Sequence, residues 1–208
     1  MTKGQKAKII VKEFGRLYPT PNIPLDSATP FQMLVAVLLS AQCTDKRVNI
    51  VTKELFEVAP TVEKMAALKI SKLESIIKSC GFYHNKAKHI KSLSKDLIEK
   101  FKGEVPDNFK DLESLAGVGH KTASVVMLQS FNQYAFPVDT HIHRLATRWG
   151  LASGKDVEDT EECLKKIFDK KLWAILHLQF IYYGREYCKA HTCKTPETYC
   201  PLCQKLRK

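Results

Sequence analysis

The residues most able to do chemistry in this chain are Lys121, Asp139 and four cysteines, Cys188, Cys193, Cys200 and Cys203. Lys121 follows a glycine turn, Gly117-Val118-Gly119-His120. Glycines permit backbone angles closed to other residues and let a ligand approach the main chain. A helix opening near His120 would present free N–H groups, and these with the turn make an anion site that needs no side chain. Lys121 then falls in the first helical turn, where the helix dipole opposes a positive charge and partial burial would add to that. A neutral amine is a nucleophile able to form a Schiff base with an aldehyde or a sugar C1′. A charged one would hold a phosphate, and position alone leaves both roles open.

Asp139, in Val138-Asp139-Thr140-His141, reads as a helix N-cap whose carboxylate accepts the first free N–H groups. A carboxylate fixed in that way could also assist an amine and stabilise positive charge developing on a sugar. The four cysteines crowd into the tail with the spacing C-x4-C-x6-C-x2-C. Four thiolates could hold a [4Fe–4S] cluster or a tetrahedral zinc ion, and His191 could replace one of them on zinc. Spacing alone does not choose between these, nor does it exclude a tail without metal. Cys43, Cys80 and Cys163 are scattered and read as ordinary buried thiols.

The elements that must position these groups read as helices throughout. Residues 6–18 fit an amphipathic helix ended by Pro19-Thr20-Pro21. Residues 31–40 are apolar on every side, which marks a buried central helix. Residues 44–58 and 69–79 are further candidates. Residues 86–102 carry Ala87, Ile90, Leu93, Leu97 and Phe101 at helical spacing, with lysines on the other faces. Residues 172–183 again read as a buried helix. No strand alternation persists, so the fold class is all-α.

The chain has 208 residues, enough for one domain or two small ones, and 44% of them are hydrophobic, enough for a core. Lysine and arginine number 33 against 22 aspartates and glutamates, a net charge of +11 that suits a polyanionic partner. The basic start is not followed by the apolar run of an export signal, and no stretch is long enough to span a bilayer. A cytoplasmic protein with no membrane role is expected. Nothing in the sequence calls for an oligomer, and a monomer is expected.

Together these motifs resemble the endonuclease III family of the helix-hairpin-helix glycosylase superfamily. The likeness runs through Leu34-Val35-Ala36-Val37-Leu38-Leu39-Ser40-Ala41-Gln42, Thr44-Asp45, Gly103-Glu104-Val105-Pro106, the glycine turn with Lys121, Val138-Asp139-Thr140-His141, and Tyr183-Gly184-Arg185 before Cys188. The resemblance implies two helical domains. One would span 22–133, with a helix-hairpin-helix at about 107–131. The other would join 1–21 to 134–208 and carry a [4Fe–4S] loop at 188–203.

The resemblance also implies a base excision repair enzyme acting on double-stranded DNA. It would remove oxidised pyrimidines as a DNA glycosylase, then cut 3′ to the abasic site as an AP lyase. Lys121 would attack C1′ of the damaged nucleotide, with Asp139 as the supporting carboxylate. The hairpin residues Gly117, Val118, Gly119 and His120 would hold DNA phosphate, which fixes register without reading sequence. Gln42 would fill the gap left by the flipped base, Phe82 would wedge between bases, and Asp45 would touch the flipped base. For Gln42 and Phe82, ordinary surface or packing roles stay open.

Three departures stand out. Ala116 replaces the usual proline, and His120 replaces the usual arginine or lysine. The tail replaces the usual spacing C-x6-C-x2-C-x5-C. An adenine-glycosylase relative would lack Lys121, and an oxoguanine glycosylase would lack the four-cysteine tail. A DNA-binding module without catalysis would use the hairpin for grip alone.

Overall fold

The computed structural model describes residues 1–206. Every regular element among them is helical: α1 (Lys3–Leu17), α2 (Pro30–Ser40), α3 (Asp45–Val58), α4 (Val62–Ala67), α5 (Ile70–Ile77), α6 (Tyr83–Phe101), α7 (Phe109–Glu113), α8 (His120–Phe131), α9 (Thr140–Arg148), α10 (Val157–Ile167), α11 (Trp173–Glu186) and α12 (Pro201–Leu206). Two short 3₁₀ turns lie at Lys170–Leu172 and Pro196–Thr198. No helix among the described residues is long and apolar enough to cross a membrane.

Threonine sets several of the starts. Thr2, Thr29, Thr44 and Thr61 each stand just before a helix and accept a backbone N–H from its first turn. The stops are more varied. Lys102 and Asn132 end α6 and α8 in the left-handed conformation. Lysine side chains finish two others. The Lys86 ammonium donates to Leu39 O at 2.9 Å and Ala41 O at 2.7 Å, covering the end of α2. Lys91 does the same for α4, donating to the carbonyls of Met65, Ala66 and Leu68. Last-turn carbonyls have no partner within their helix, so a cation there satisfies them and meets the negative end of the dipole.

The chain divides into two compact units, one of Ile23–Gln133 and one that joins Met1–Asn22 to the segment from Tyr134 onward. In the first unit α2 is the centre: from Phe31 to Leu39 only Gln32 escapes burial. Helices α3, α6 and α8 pack around it. In the second unit Phe14 of α1 packs edge-on to Phe180 at 5.0 Å between ring centroids, with Trp149 and Tyr183 beside them. Lys6 donates to Trp149 O at 2.7 Å and fastens α1 to the end of α9.

The helices expected from periodicity are present, with shifted ends. Helix α6 begins at Tyr83 rather than near residue 86, because Phe82 just before it is left-handed. Three helices are not expected from the sequence, and two of them, α4 and α12, have six residues each, too few turns for an apolar stripe to repeat. Helix α7 is the first helix of the expected helix-hairpin-helix.

Candidate DNA-repair site

The hairpin is built around one glycine that nothing else could replace. Gly117 has φ +79°, and a Cβ there would lie 2.6 Å from His89 Nδ1. Val118 is buried, and its N–H donates to Leu115 O at 3.1 Å, closing the turn. That N–H is therefore used within the hairpin, so the open donors begin one residue later. Gly119 is the N-cap of α8 and, having no side chain, makes no side-chain cap bond to the first-turn amides. Such a helix start is a ready anion site. His120 is held by Glu113 Oε1 at 2.7 Å and stacks on Phe109 at 5.4 Å.

Lys121 lies in that first turn and is exposed. The burial expected from the sequence is absent, and the position at the helix start remains.

Two loops of the same unit share an unusual feature. Gln42 has φ 53° and Phe82 has φ 57°, both left-handed without being glycine. Each such residue carries strain, typically about 1 to 3 kcal/mol, and strain of this kind gathers at functional sites. Gln42 is exposed and Phe82 is 65% exposed, an uncommon position for a large ring. The loops touch: a Cβ on Gly81 would lie 3.6 Å from Gln42 O. An open depression of about 270 Å³ runs from Gln42 and Phe82 past Lys86 and His89 to Gly117. The hairpin and both strained loops thus border one surface. Asp45 is half-buried at the first position of α3.

Lys86 is the residue that sequence reading missed. It looked like one more lysine of a solvated helix, yet it is 5% exposed and ties the Gln42 loop to α6 through Ala41 O. Burial lowers its pKa, while the nearby Cys80 and Cys43 thiols push the other way.

In the other unit, Asp139 caps α9, with its Oδ1 accepting Ile142 N–H at 2.8 Å. The helix continues into two arginines that reach the cysteine tail. Arg144 donates to Gly184 O and Cys188 O, each at 3.0 Å. Burial lowers its pKa and the Arg148 charge adds to that, while Cys188 and Asp139 oppose it. Arg148 donates to Cys188 Sγ at 3.4 Å, Lys189 O at 3.0 Å and Ala190 O at 3.1 Å.

Cys188, Cys193, Cys200 and Cys203 are all buried, and their sulfurs lie within 4.8 Å of one another. Cys188 and Cys203 are 3.7 Å apart. Besides Arg148, three further N–H groups point at sulfur: Trp149 Nε1 to Cys203 at 3.3 Å, Cys200 N to Cys193 at 3.3 Å, and Cys203 N to Cys200 at 3.5 Å. Hydrogen bonds from Cys188 and Cys203 hold the Cys200 thiol well below its ordinary pKa. Four convergent thiols of this kind could hold a metal ion. His191 is exposed and stands outside the set. Cys80 is buried as expected, whereas Cys43 and Cys163 are only half-buried.

An all-helical chain with an uncapped glycine hairpin beside a lysine defines the class, and residues 35–170 match the HhH-GPD superfamily of base excision DNA repair proteins. Endonuclease III of Bacillus subtilis (strain 168) is 41% identical over 199 residues, covering 95% of this chain and 90% of the relative. Endonuclease III of Escherichia coli (strain K12) is 39% identical over 190 residues, covering 91% and 90%. Among solved structures, a trapped endonuclease III–DNA covalent intermediate in an estranged-adenine complex aligns over 100% of both chains, with TM-score 0.89 and 39% identity. A non-covalent endonuclease III–DNA complex aligns equally fully, with TM-score 0.89 and 40% identity. The chain belongs to the endonuclease III family of that superfamily.

Proposed function

We propose that this chain is a bifunctional DNA glycosylase and AP lyase of base excision repair, acting on double-stranded DNA that carries oxidised pyrimidines or abasic sites. The observation that supports it most is Lys121 standing exposed in the first turn of a helix whose amides are left uncapped by Gly119. That pairing provides a phosphate grip and a nucleophile within three residues of each other.

In this reading the damaged nucleotide leaves the stack, since the reacting carbon is out of reach inside a duplex. Gln42 takes the vacated space, Phe82 enters between neighbouring bases, and Asp45 meets the extruded base. The Lys121 amine attacks C1′. A nitrogen–carbon bond forms there, and the bond to the base breaks with its electron pair leaving on the base. Asp139 stabilises the positive charge that develops on the sugar, its carboxylate held still by the capping bond to Ile142. The nitrogen gives up a proton and the sugar ring opens, the C1′–O4′ bond breaking with its electron pair on O4′, which takes a proton. The iminium so formed makes the C2′ proton acidic. Its loss expels the 3′ oxygen and cuts the strand. The amides of Gly119 and the α8 start hold a backbone phosphate throughout, with the charge of the whole protein, +11, favouring approach.

Borohydride trapping tests this on a thymine-glycol duplex and on an abasic duplex. Wild type should give a covalent adduct with both, and Lys121→Ala with neither. An adduct from Lys121→Ala equal to wild type would remove Lys121 as the amine. No adduct from wild type with either duplex would leave DNA binding without lyase chemistry.

A further inference from the structure

We infer that the four-cysteine site holds one tetrahedral zinc ion rather than the [4Fe–4S] cluster that the family resemblance implies. Two independent observations carry this. The first is the separation of the donors. Zinc–sulfur bonds of about 2.3 Å at tetrahedral angles put sulfurs about 3.8 Å apart. Here all four sulfurs lie within 4.8 Å of one another, and Cys188 and Cys203 are 3.7 Å apart. In a four-iron cluster each thiolate bonds a different iron. The iron–iron edge then adds to the bond lengths and carries the thiolates well beyond the widest pair seen here.

The second is the arrangement along the chain. Structural zinc sites draw their ligands in pairs spaced C-x2–4-C. Cys188-x4-Cys193 and Cys200-x2-Cys203 are two such pairs. The Cys200 pair folds back on itself, with Cys203 N–H on Cys200 Sγ at 3.5 Å. The pairs then face each other, with Cys200 N–H on Cys193 Sγ at 3.3 Å. Donors of this kind around a thiolate orient it and offset its charge. Arg148 adds a full positive charge against Cys188 at 3.4 Å, which suits a site whose four thiolates outweigh a divalent ion.

The ion would fasten the tail to α9 and α11 and take no part in catalysis. Zinc itself has no redox chemistry, so the ion would be lost to oxidants only through oxidation of its thiolates.

The test is metal and acid-labile sulfide analysis of the full chain, purified without oxygen from cells supplied with both iron and zinc. One zinc per chain, with no sulfide and no visible charge-transfer absorption, is expected. Iron with sulfide overturns the inference, and so does a folded chain without metal. Exchange with cobalt(II) should give the ligand-field spectrum of a tetrahedral thiolate site; an octahedral spectrum overturns it. A cysteine variant could fail to fold, so Arg148→Ala is the informative substitution because it keeps all four ligands. It should weaken zinc binding about tenfold to a hundredfold. Unchanged affinity would argue against Cys188 as a ligand. None of these readouts depends on borohydride trapping, so the metal and the lyase assignments can fail separately.

Discussion

Phe82→Gly separates what the fold wants from what the site wants. The ring is 65% exposed, and its backbone is left-handed at φ 57°. Glycine removes the conformational cost at little loss of packing, so the variant should be more stable by about 0.5 to 1 kcal/mol. It should also lose much of its rate on lesion-bearing duplex, because no ring remains to enter the stack. Thermal unfolding beside a single-turnover cleavage assay reads both. A variant that is less stable and equally active would show that Phe82 packs and does nothing more. At this scale the sequence was partly legible. The types and spacing of Lys121, Asp139 and the cysteines are visible in any copy of it. The left-handed backbone at Gln42 and Phe82 is not, because neither residue type signals it. The exposure of Lys121 and the internal use of the Val118 N–H were also out of reach, since both depend on how the hairpin folds against its neighbours.

Among the elements, α2 is the clearest case of an end finished by tertiary structure. Its last carbonyls have no αL cap and rely on the ammonium of Lys86, which arrives from α6. Lys86→Met keeps the length of the side chain and removes the donors. One buried carbonyl, Leu39 O, and one part-buried carbonyl, Ala41 O, then lose their partner, which should cost about 2 kcal/mol. The effect should depend on pH. Burial lowers the Lys86 pKa below its ordinary 10.5, so in alkaline solution the unfolded chain holds that proton more tightly than the folded one. Stability contributed by this group therefore rises with pH up to about 10.5. Urea melts should show the gap between wild type and Lys86→Met widening from neutral to alkaline pH. A gap that narrows would mean the amine does not sit where burial opposes its charge. Lys86 escaped sequence reading because the lysines of α6 form a stripe in which one buried member has no mark of its own. Helix α10 was also passed over, although its signals are present: Asp156 caps it, Glu158 and Asp159 fill its first turn, and Lys165 and Lys166 its last.

For the whole molecule, the cysteine site and the capping aspartate sit at opposite ends of one helix. Helix α9 opens on Asp139 and closes on Arg148, which grips Cys188, Lys189 and Ala190. If the four cysteines hold a metal, removing it should loosen the tail and pass that loosening along α9. Hydrogen exchange on the chelator-treated protein should show lost protection in α9, α11 and α12, while α2 and α8 of the Ile23–Gln133 unit keep theirs. Uniform loss across both units would mean that they do not unfold separately. The all-helical class was legible from periodicity. A four-cysteine tail able to hold a metal was legible as well, though spacing alone does not choose between a cluster and zinc, because the separation of sulfurs exists only once the segment has closed on itself.

The fastening of α1 has a consequence for how the chain is made. Ile10 and Phe14 are fully buried, and the aromatic partners of Phe14 include Phe180 and Tyr183, which lie far along the chain. A ribosome adding about 5 to 20 residues per second needs roughly 10 to 30 s to supply them. During that interval the Ile23–Gln133 unit has its entire sequence and can fold, while the first helix emerges with its apolar side uncovered. A segment synthesised well before its partners is among the last to find its place. A nascent chain stalled before residue 173 should therefore present α1 to a ribosome-associated chaperone, and one released at full length should not.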